Sequence, residues 1–137
     1  MNRDQVAELL QRFGVTPTSQ RLDVGQAILS RPQHLSADQI ISAVEASGSR
    51  VSKATVYNTL NLFCERGLLR TVNVDPARQF YDPTTSNHHH FYNEDTGMLE
   101  DIEASKLDIS KLPEPPTGTI RQKVDVIVRV KNKTDVN

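Results

Sequence analysis

Cysteine, aromatic residues and long apolar runs are all scarce in this sequence of 137 residues. It contains one cysteine, Cys64, no tryptophan, three tyrosines and four phenylalanines. A single cysteine excludes an intramolecular disulfide and excludes a structural zinc site made of cysteine pairs. The amphipathic start of the chain carries charges of both signs and is neither a signal peptide nor a membrane span. The cytoplasm is therefore the expected location.

The net charge is also close to zero, because 16 lysines and arginines are balanced by 17 aspartates and glutamates. A contact with nucleic acid would therefore need a local basic patch and could not rely on the charge of the whole chain. The hydrophobic fraction of 36% allows a modest core, and the length fits one domain or two small ones. These values exclude a barrel enzyme, a multidomain receptor and a disordered tail.

Apolar residues at helical spacing predict four helices in the first half of the chain. The first covers 2–13, and the second covers about 18–30, where a proline ends it. The third begins after Ser36, which forms a capping box with the glutamine three residues later, and ends at Gly48. Ser52 is the predicted N-cap of the fourth.

Two β-prone runs follow the helices. Residues 68–74 and 79–81 flank the turn 75–78, which has proline at its second position as a type I turn prefers. Helices followed by a hairpin are the order of elements in a winged helix-turn-helix, so the sequence predicts such a domain over 1–82.

A polar, proline-containing hinge over 83–87 separates this domain from a second, smaller α/β unit over 88–131. The fold class is therefore α+β, with an N-terminal winged helix-turn-helix and a small C-terminal α/β domain. A loose tail over 132–137 is predicted to follow. The strands expected in the second unit cover 88–93, 98–102 and 119–130.

The fourth helix carries the first candidate site. Val56, Leu60 and Phe63 share its apolar face, which leaves the opposite face polar. Short hydroxyl and amide side chains, an aromatic ring and cations are what a helix needs to read bases in the major groove and to contact phosphates. An ordinary solvated helix face is the alternative, and the hairpin that follows favours DNA. The candidate residues are Arg50, Ser52, Lys53, Thr55, Tyr57, Asn58 and Asn61.

Three consecutive histidines form the second candidate site. In a strand His88 and His90 point to one face and His89 to the other. If residues 94–97 are a four-residue hairpin loop, His90 pairs with Asp101, which places a carboxylate beside the two imidazoles.

His34 and Asp82 would reach the same place if the second unit folds back on the first. Such a set of nitrogen and oxygen donors suits Fe(II), Mn(II), Co(II) or Zn(II). Histidines that are exposed or bonded to the backbone are the alternative. The candidate metal ligands are His34, Asp82, His88, His90 and Asp101.

Several ordered motifs together resemble the ferric uptake regulator (Fur) family over roughly residues 10–130. The resemblance implies a metal-responsive transcriptional regulator, not an enzyme, whose C-terminal domain makes it a homodimer. Iron or manganese would be the regulatory metal, and A·T-rich inverted repeats the DNA. The motifs are Gly14–Arg21, His34–Ile40, Val51–Leu60, Phe80–Asp82, His88–His90 and Gly97–Ile102.

The resemblance also implies roles for single residues. The regulatory metal site of the family maps onto the same five candidate ligands. Asn58 stands at a position that is often arginine in the family. The implied DNA contacts are Arg21, Ser52, Lys53, Thr55, Tyr57 and Asn58.

The sequence departs from the family at its structural zinc. The first of two cysteine pairs falls on Asn93 and Thr96, and the second is absent, so no cysteine-bound zinc is expected. A further metal site is missing where Lys123 and Val124 stand. These losses are similar to the iron-response regulator (Irr) and peroxide-sensor branches.

Three alternatives remain open at this point. One is a haem-responsive regulator released from DNA by haem, whose axial ligands would have to be His88, His89 or His90. Another is a peroxide sensor that acts through iron-catalysed oxidation of its own histidines. The third is a metalloenzyme, since two histidines and a carboxylate can hold Fe(II) for oxygen chemistry, although the sequence carries no substrate-cleft signature.

Overall fold

A computed structural model describes residues 1–134. The chain divides into two compact units, one over Met1–Thr85 and one that begins at Ser86. This division falls within the predicted hinge over 83–87. Residues 135–137 of the predicted tail lie outside the described part of the chain.

Within residues 1–85 each of the four predicted helices is present. Asn2 and Ser36 both form complete capping boxes with the residue three positions later. Thr18 and Ser52 cap the other two helices, each side chain accepting a backbone N–H. The helices are α1 (Arg3–Arg12), α2 (Ser19–Ile28), α3 (Ala37–Ala46) and α4 (Lys53–Glu65).

All four helices contribute to one apolar core. Val56, Leu60 and Phe63 of α4 are each at most 1% exposed within it, which confirms the predicted inner face. Gly25 of α2 lies where α1 comes close, because a Cβ at this position would stand 2.7 Å from Val6 Cγ1. That separation is shorter than van der Waals contact, so the missing side chain allows α1 and α2 to pack this closely.

The wing is an antiparallel hairpin of β1 (Arg70–Asp75) and β2 (Arg78–Asp82). The chain just before α3 joins it through a short bridge, in which Leu35 and Tyr81 exchange backbone hydrogen bonds of 3.1 and 2.7 Å. This bridge holds His34 close to the end of β2.

A three-stranded sheet in the order β4-β3-β5 forms the second unit. The middle strand pairs antiparallel with β4 and parallel with β5. His90 lies opposite Asp101, so the predicted register is confirmed. The elements are β3 (His88–Asn93), β4 (Leu99–Glu103), a 3₁₀ turn (Ala104–Lys106) and β5 (Ile127–Val130).

The strand predicted over 119–130 is wrong before residue 127. β5 pairs with β3 from His90 opposite Ile127 to Asn93 opposite Val130. Extended backwards in this parallel register, β5 would pass the start of β3 within two residues. Residues 119–124 would therefore lie beyond the start of β3 in this register and would lack its backbone groups as partners, and β-prone side chains alone do not make a strand.

Hydrogen bonds tie the turn after β3 to the chain after β5. Asn93 Nδ2 donates to Asn132 Oδ1, and the Asn132 N–H donates to Asp95 Oδ2, both over 2.8 Å. Asn93 Oδ1 also accepts the backbone N–H groups of Asp95 and Thr96. We call Asn93, Asp95, Thr96 and Asn132 the amide clasp. Asn132, the first residue of the predicted loose tail, is thus held in place.

The contact at Gly25 gives a stability prediction. Gly25→Ala should lower the free energy of unfolding, because overpacking a core costs about 1–3 kcal/mol and alanine regains only about 1 kcal/mol in a helix. Urea unfolding followed by circular dichroism measures the change. The control is the same substitution in a Val6→Ala background, where the opposing methyl is gone and the loss should disappear. A single variant as stable as the wild type would contradict the close approach of α1 and α2.

Candidate functional site

His34 and Asp82 form a histidine–carboxylate pair in the first unit. The His34 Nε2 atom lies 3.2 Å from Asp82 Oδ2. Asp82 is 1% exposed, and its other oxygen, Oδ1, accepts the Thr84 N–H over 2.8 Å. This backbone contact fixes the carboxylate so that Oδ2 faces the imidazole.

His88, His90 and Asp101 form a second group on one face of the sheet in the second unit. Asp101 Oδ1 lies 3.6 Å from His88 Nε2 and 3.4 Å from His90 Nε2. The two rings stand edge to face, with centroids 4.6 Å apart. Both imidazoles thus direct Nε2 towards one carboxylate oxygen, as the alternation of the strand predicts.

The hydrogen bond that His88 makes to the backbone suits a metal ligand. Its Nδ1 lies 2.7 Å from the Ser86 carbonyl oxygen. Because a carbonyl only accepts hydrogen bonds, Nδ1 carries the proton, and a neutral ring then has its lone pair on Nε2. A second nitrogen that donates to a carbonyl is the usual way in which a metal-binding histidine is oriented.

His89 is separate from this group. It points to the opposite face of β3, and its Nδ1 accepts the Val126 N–H over 3.1 Å. The side chain is buried and joins β3 to the residue just before β5. The structure therefore does not bring the three consecutive histidines together.

Both groups fit a divalent metal. Within each, the nitrogen and oxygen atoms on offer lie within 4.8 Å of one another, so small adjustments would bring them to a shared ion. Imidazole and carboxylate donors without thiolate suit Fe(II), Mn(II) and related ions. Each group alone offers fewer donors than the six positions of an octahedral ion, which leaves positions for further ligands.

The outer face of α4 has the composition predicted for a DNA-reading surface. Lys53, Tyr57 and Asn58 are exposed, with 43% of Tyr57 accessible. Arg21 and Thr55 join Asn58 in lining a cleft of about 300 Å³ between α2 and α4. Amide, hydroxyl, aromatic and cationic groups thus share one side of the first unit.

Two of the predicted DNA contacts also make local hydrogen bonds, one at the start of α4 and one at the start of α2. Ser52 Oγ accepts the Thr55 N–H over 3.1 Å and donates to Thr55 Oγ1 over 2.9 Å. Arg21 likewise donates to the Thr16 carbonyl over 3.0 Å. These bonds set the orientation of the side chains at the start of α2 and of α4.

The groups that orient the candidate ligands were missed by sequence reasoning. They are the backbone N–H of Thr84 and the backbone carbonyl of Ser86. Every residue has such groups, so no side-chain pattern could have indicated them.

Cys64 does not add a ligand or a nucleophile to either group. It is partly buried against the core of the first unit. Burial raises the pKa of its thiol, so the thiolate, which is the reactive form, is disfavoured.

No helix in the described part of the chain is both long and apolar enough to cross a membrane.

The sequence of the chain matches a known protein family. The model of the ferric uptake regulator family matches residues 12–114. The peroxide operon regulator of Bacillus subtilis strain 168 is 33% identical over 115 residues, which cover 83% of this chain and 79% of that protein.

Solved structures agree on the fold. The ferric uptake regulator of Pseudomonas aeruginosa, solved with manganese, has a TM-score of 0.72 at 25% identity and covers 93% of this chain and 97% of its own. That of Francisella tularensis, solved with iron, has a TM-score of 0.75 at 24% identity and covers 88% and 94%. The chain belongs to the ferric uptake regulator family, and it is a metal-responsive, DNA-binding transcriptional regulator and not an enzyme.

Proposed function

We propose that this protein is a cytoplasmic homodimeric repressor of the peroxide-sensing type, which binds A·T-rich inverted repeats when Fe(II) or Mn(II) is bound. The observation that carries the proposal is the convergence of His88 and His90 on Asp101. By the resemblance of the sequence to the family, these three residues correspond to ligands of the family's regulatory metal site.

The regulatory metal would be held by ligands from both units. His34 and Asp82 would contribute from the winged-helix unit, and three ligands would come from the sheet of the second unit. An ion held by these residues would supply positive charge that offsets the two carboxylates. If ligands of both units hold one ion, the affinity for DNA follows metal occupancy by linkage. The sheet ligands are His88, His90 and Asp101.

DNA would be read by α4 from each half of a dimer. The amide of Asn58 is suited to an adenine edge, and Tyr57 presents apolar surface for a thymine methyl. Lys53 would contact phosphates. Two such helices related by a twofold axis match an inverted repeat. The full set of proposed contacts is Arg21, Ser52, Lys53, Thr55, Tyr57 and Asn58.

An apolar strip on the second unit supports dimerisation. Phe91, Val128 and Val130 lie on the sheet face opposite His90 and are 36–38% exposed. A second copy that covers this strip would remove apolar side chains from water.

The metal dependence is tested by fluorescence anisotropy on an A·T-rich inverted-repeat duplex. Wild-type protein should bind tightly with Mn(II) and weakly with a chelator. His34→Ala and His90→Ala should each need at least about tenfold more Mn(II), since even outer-shell partners of a metal change its affinity roughly 10–100-fold. The control is His89→Gln, whose amide oxygen can still accept the Val126 N–H. Unchanged metal dependence in both ligand variants would show that these residues are not the sensor.

The DNA face is tested in the same assay at saturating Mn(II). Tyr57→Ala should weaken operator binding by about 1–3 kcal/mol, as expected for a base contact. Lys53→Ala should reduce the salt slope by about one without changing sequence preference. The exposed Gln11→Ala on α1 is the control and should bind as the wild type does. The proposal for α4 fails if Tyr57→Ala also binds like the wild type.

Peroxide sensing is favoured by the likeness to the Bacillus subtilis peroxide operon regulator. The reaction would place one oxygen atom of the peroxide on an imidazole carbon of His34 or His90 and release the other as water. Iron held by these residues would supply the catalysis, and a ring modified in this way would be a poorer metal ligand. DNA would then be released because metal binding is lost.

Mass spectrometry after peroxide treatment tests this step. Protein loaded with Fe(II) should gain the mass of one oxygen on a peptide containing His34 or His90 and should release the duplex. Protein loaded with Mn(II) is the control and should show neither change. Release of DNA without any oxygen on these histidines would rule out this mechanism. For the haem-responsive alternative, the three histidines would not act as one ligand cluster, since His89 lies on the opposite face from His88 and His90.

A further inference from the structure

A carboxylate on α2 joins two parts of the first unit. The Asp23 side chain is 22% exposed and is not one of the proposed DNA contacts. Its Oδ1 accepts from Arg3 Nη1 over 2.7 Å, and its Oδ2 accepts from Ser49 Oγ over 2.6 Å. One side chain therefore contacts the first turn of α1 and the chain between α3 and α4.

Ser49 lies in the turn of the helix-turn-helix. The turn leaves α3 through Gly48, whose φ of +86° is a conformation that favours glycine. It then passes Arg50, which is exposed, and reaches the N-cap Ser52 three residues after Ser49. Any shift of this turn moves the start of α4, where the proposed DNA contacts lie.

We propose that Asp23 is a positioning residue for DNA recognition, which acts by holding Ser49 and thereby the turn that leads into α4. This inference rests on the proposed reading of DNA by α4. Asp23 is not among the proposed DNA contacts and would act through its hydrogen bond to Ser49.

The chemistry of the contact suits such a role. A hydroxyl that donates to a carboxylate is a charge-assisted hydrogen bond, about twice as strong as a neutral one. The Ser49 hydroxyl, followed by the Arg3 guanidinium, holds the pKa of Asp23 below its usual range, so the carboxylate is charged at neutral pH. Arg3 is itself fixed, since it also donates to Gln26 Oε1 and to the Ser19 carbonyl, both over 3.1 Å.

The chain offers a matched control for Ser49. Ser47 is also a serine at the end of α3, but its hydroxyl donates to the Val44 carbonyl of its own helix over 2.6 Å. Removing that hydroxyl deletes a hydrogen bond of similar length that does not involve α2. The two serines therefore separate support of the turn from general loss of a hydroxyl.

The experiment compares Ser49→Ala, Ser47→Ala and Ser49→Thr by anisotropy at saturating Mn(II), on the inverted-repeat duplex and on a scrambled duplex. Ser49→Ala should weaken operator binding about tenfold, which corresponds to about 1.4 kcal/mol, and should change binding to the scrambled duplex far less. Ser49→Thr should restore binding because it keeps the hydroxyl. Ser47→Ala should leave the ratio of the two affinities as in the wild type. Thermal unfolding of each variant reports stability separately.

A double-mutant cycle completes the test. Asp23→Ala and Ser49→Ala should be non-additive for operator binding, because each removes the same contact. The inference is overturned if Ser49→Ala discriminates the two duplexes as the wild type does, or if the pair is additive for DNA binding and coupled only in stability. If the wild-type protein binds neither duplex, the proposed function itself fails. If the wild type discriminates between the duplexes and Ser49→Ala does so equally well, only the role of Asp23 fails.

Discussion

The antiparallel pairing of β3 with β4 is the constraint on which the chemistry of the second unit depends. His90 faces Asp101 because the turn between the strands fixes the register. A slip of one residue would turn Asp101 to the opposite face and bring Glu100 or Ile102 beside His90. The same pairing places His88 on the Asp101 face and His89 away from it. The backbone hydrogen bonds between β3 and β4 thus decide which side chains lie together as candidate metal ligands.

An equally local constraint operates in the first unit. The backbone bridge between Leu35 and Tyr81 connects the chain before α3 with the last strand of the wing. His34 and Asp82 are the residues next to that bridge, so their 3.2 Å contact follows from it. The wing therefore does more than follow α4 in the chain, since its second strand also ends in a candidate ligand.

Much of this arrangement could be predicted because it depends on local patterns. Alternation in a strand and the length of a turn were enough to place His90 beside Asp101, and helical spacing was enough to identify the inner face of α4. Contacts between distant residues were not accessible in this way. Ser49 bonds to Asp23, 26 positions earlier, and neither residue belongs to a recognisable motif. The strand predicted over 119–130 failed for a related reason, since a strand requires a partner that composition does not reveal.

The amide clasp ties the turn after β3 to the chain after β5 through hydrogen bonds. In the family pattern, cysteines would stand where Asn93 and Thr96 make neutral hydrogen bonds here. A tie built from amides and a carboxylate has no sulfur to oxidise and no ion for a chelator to withdraw. The hydrogen bonds that hold the turn after β3 therefore depend on neither a thiol nor a metal ion, although the candidate metal ligands His88 and His90 lie on the same strand.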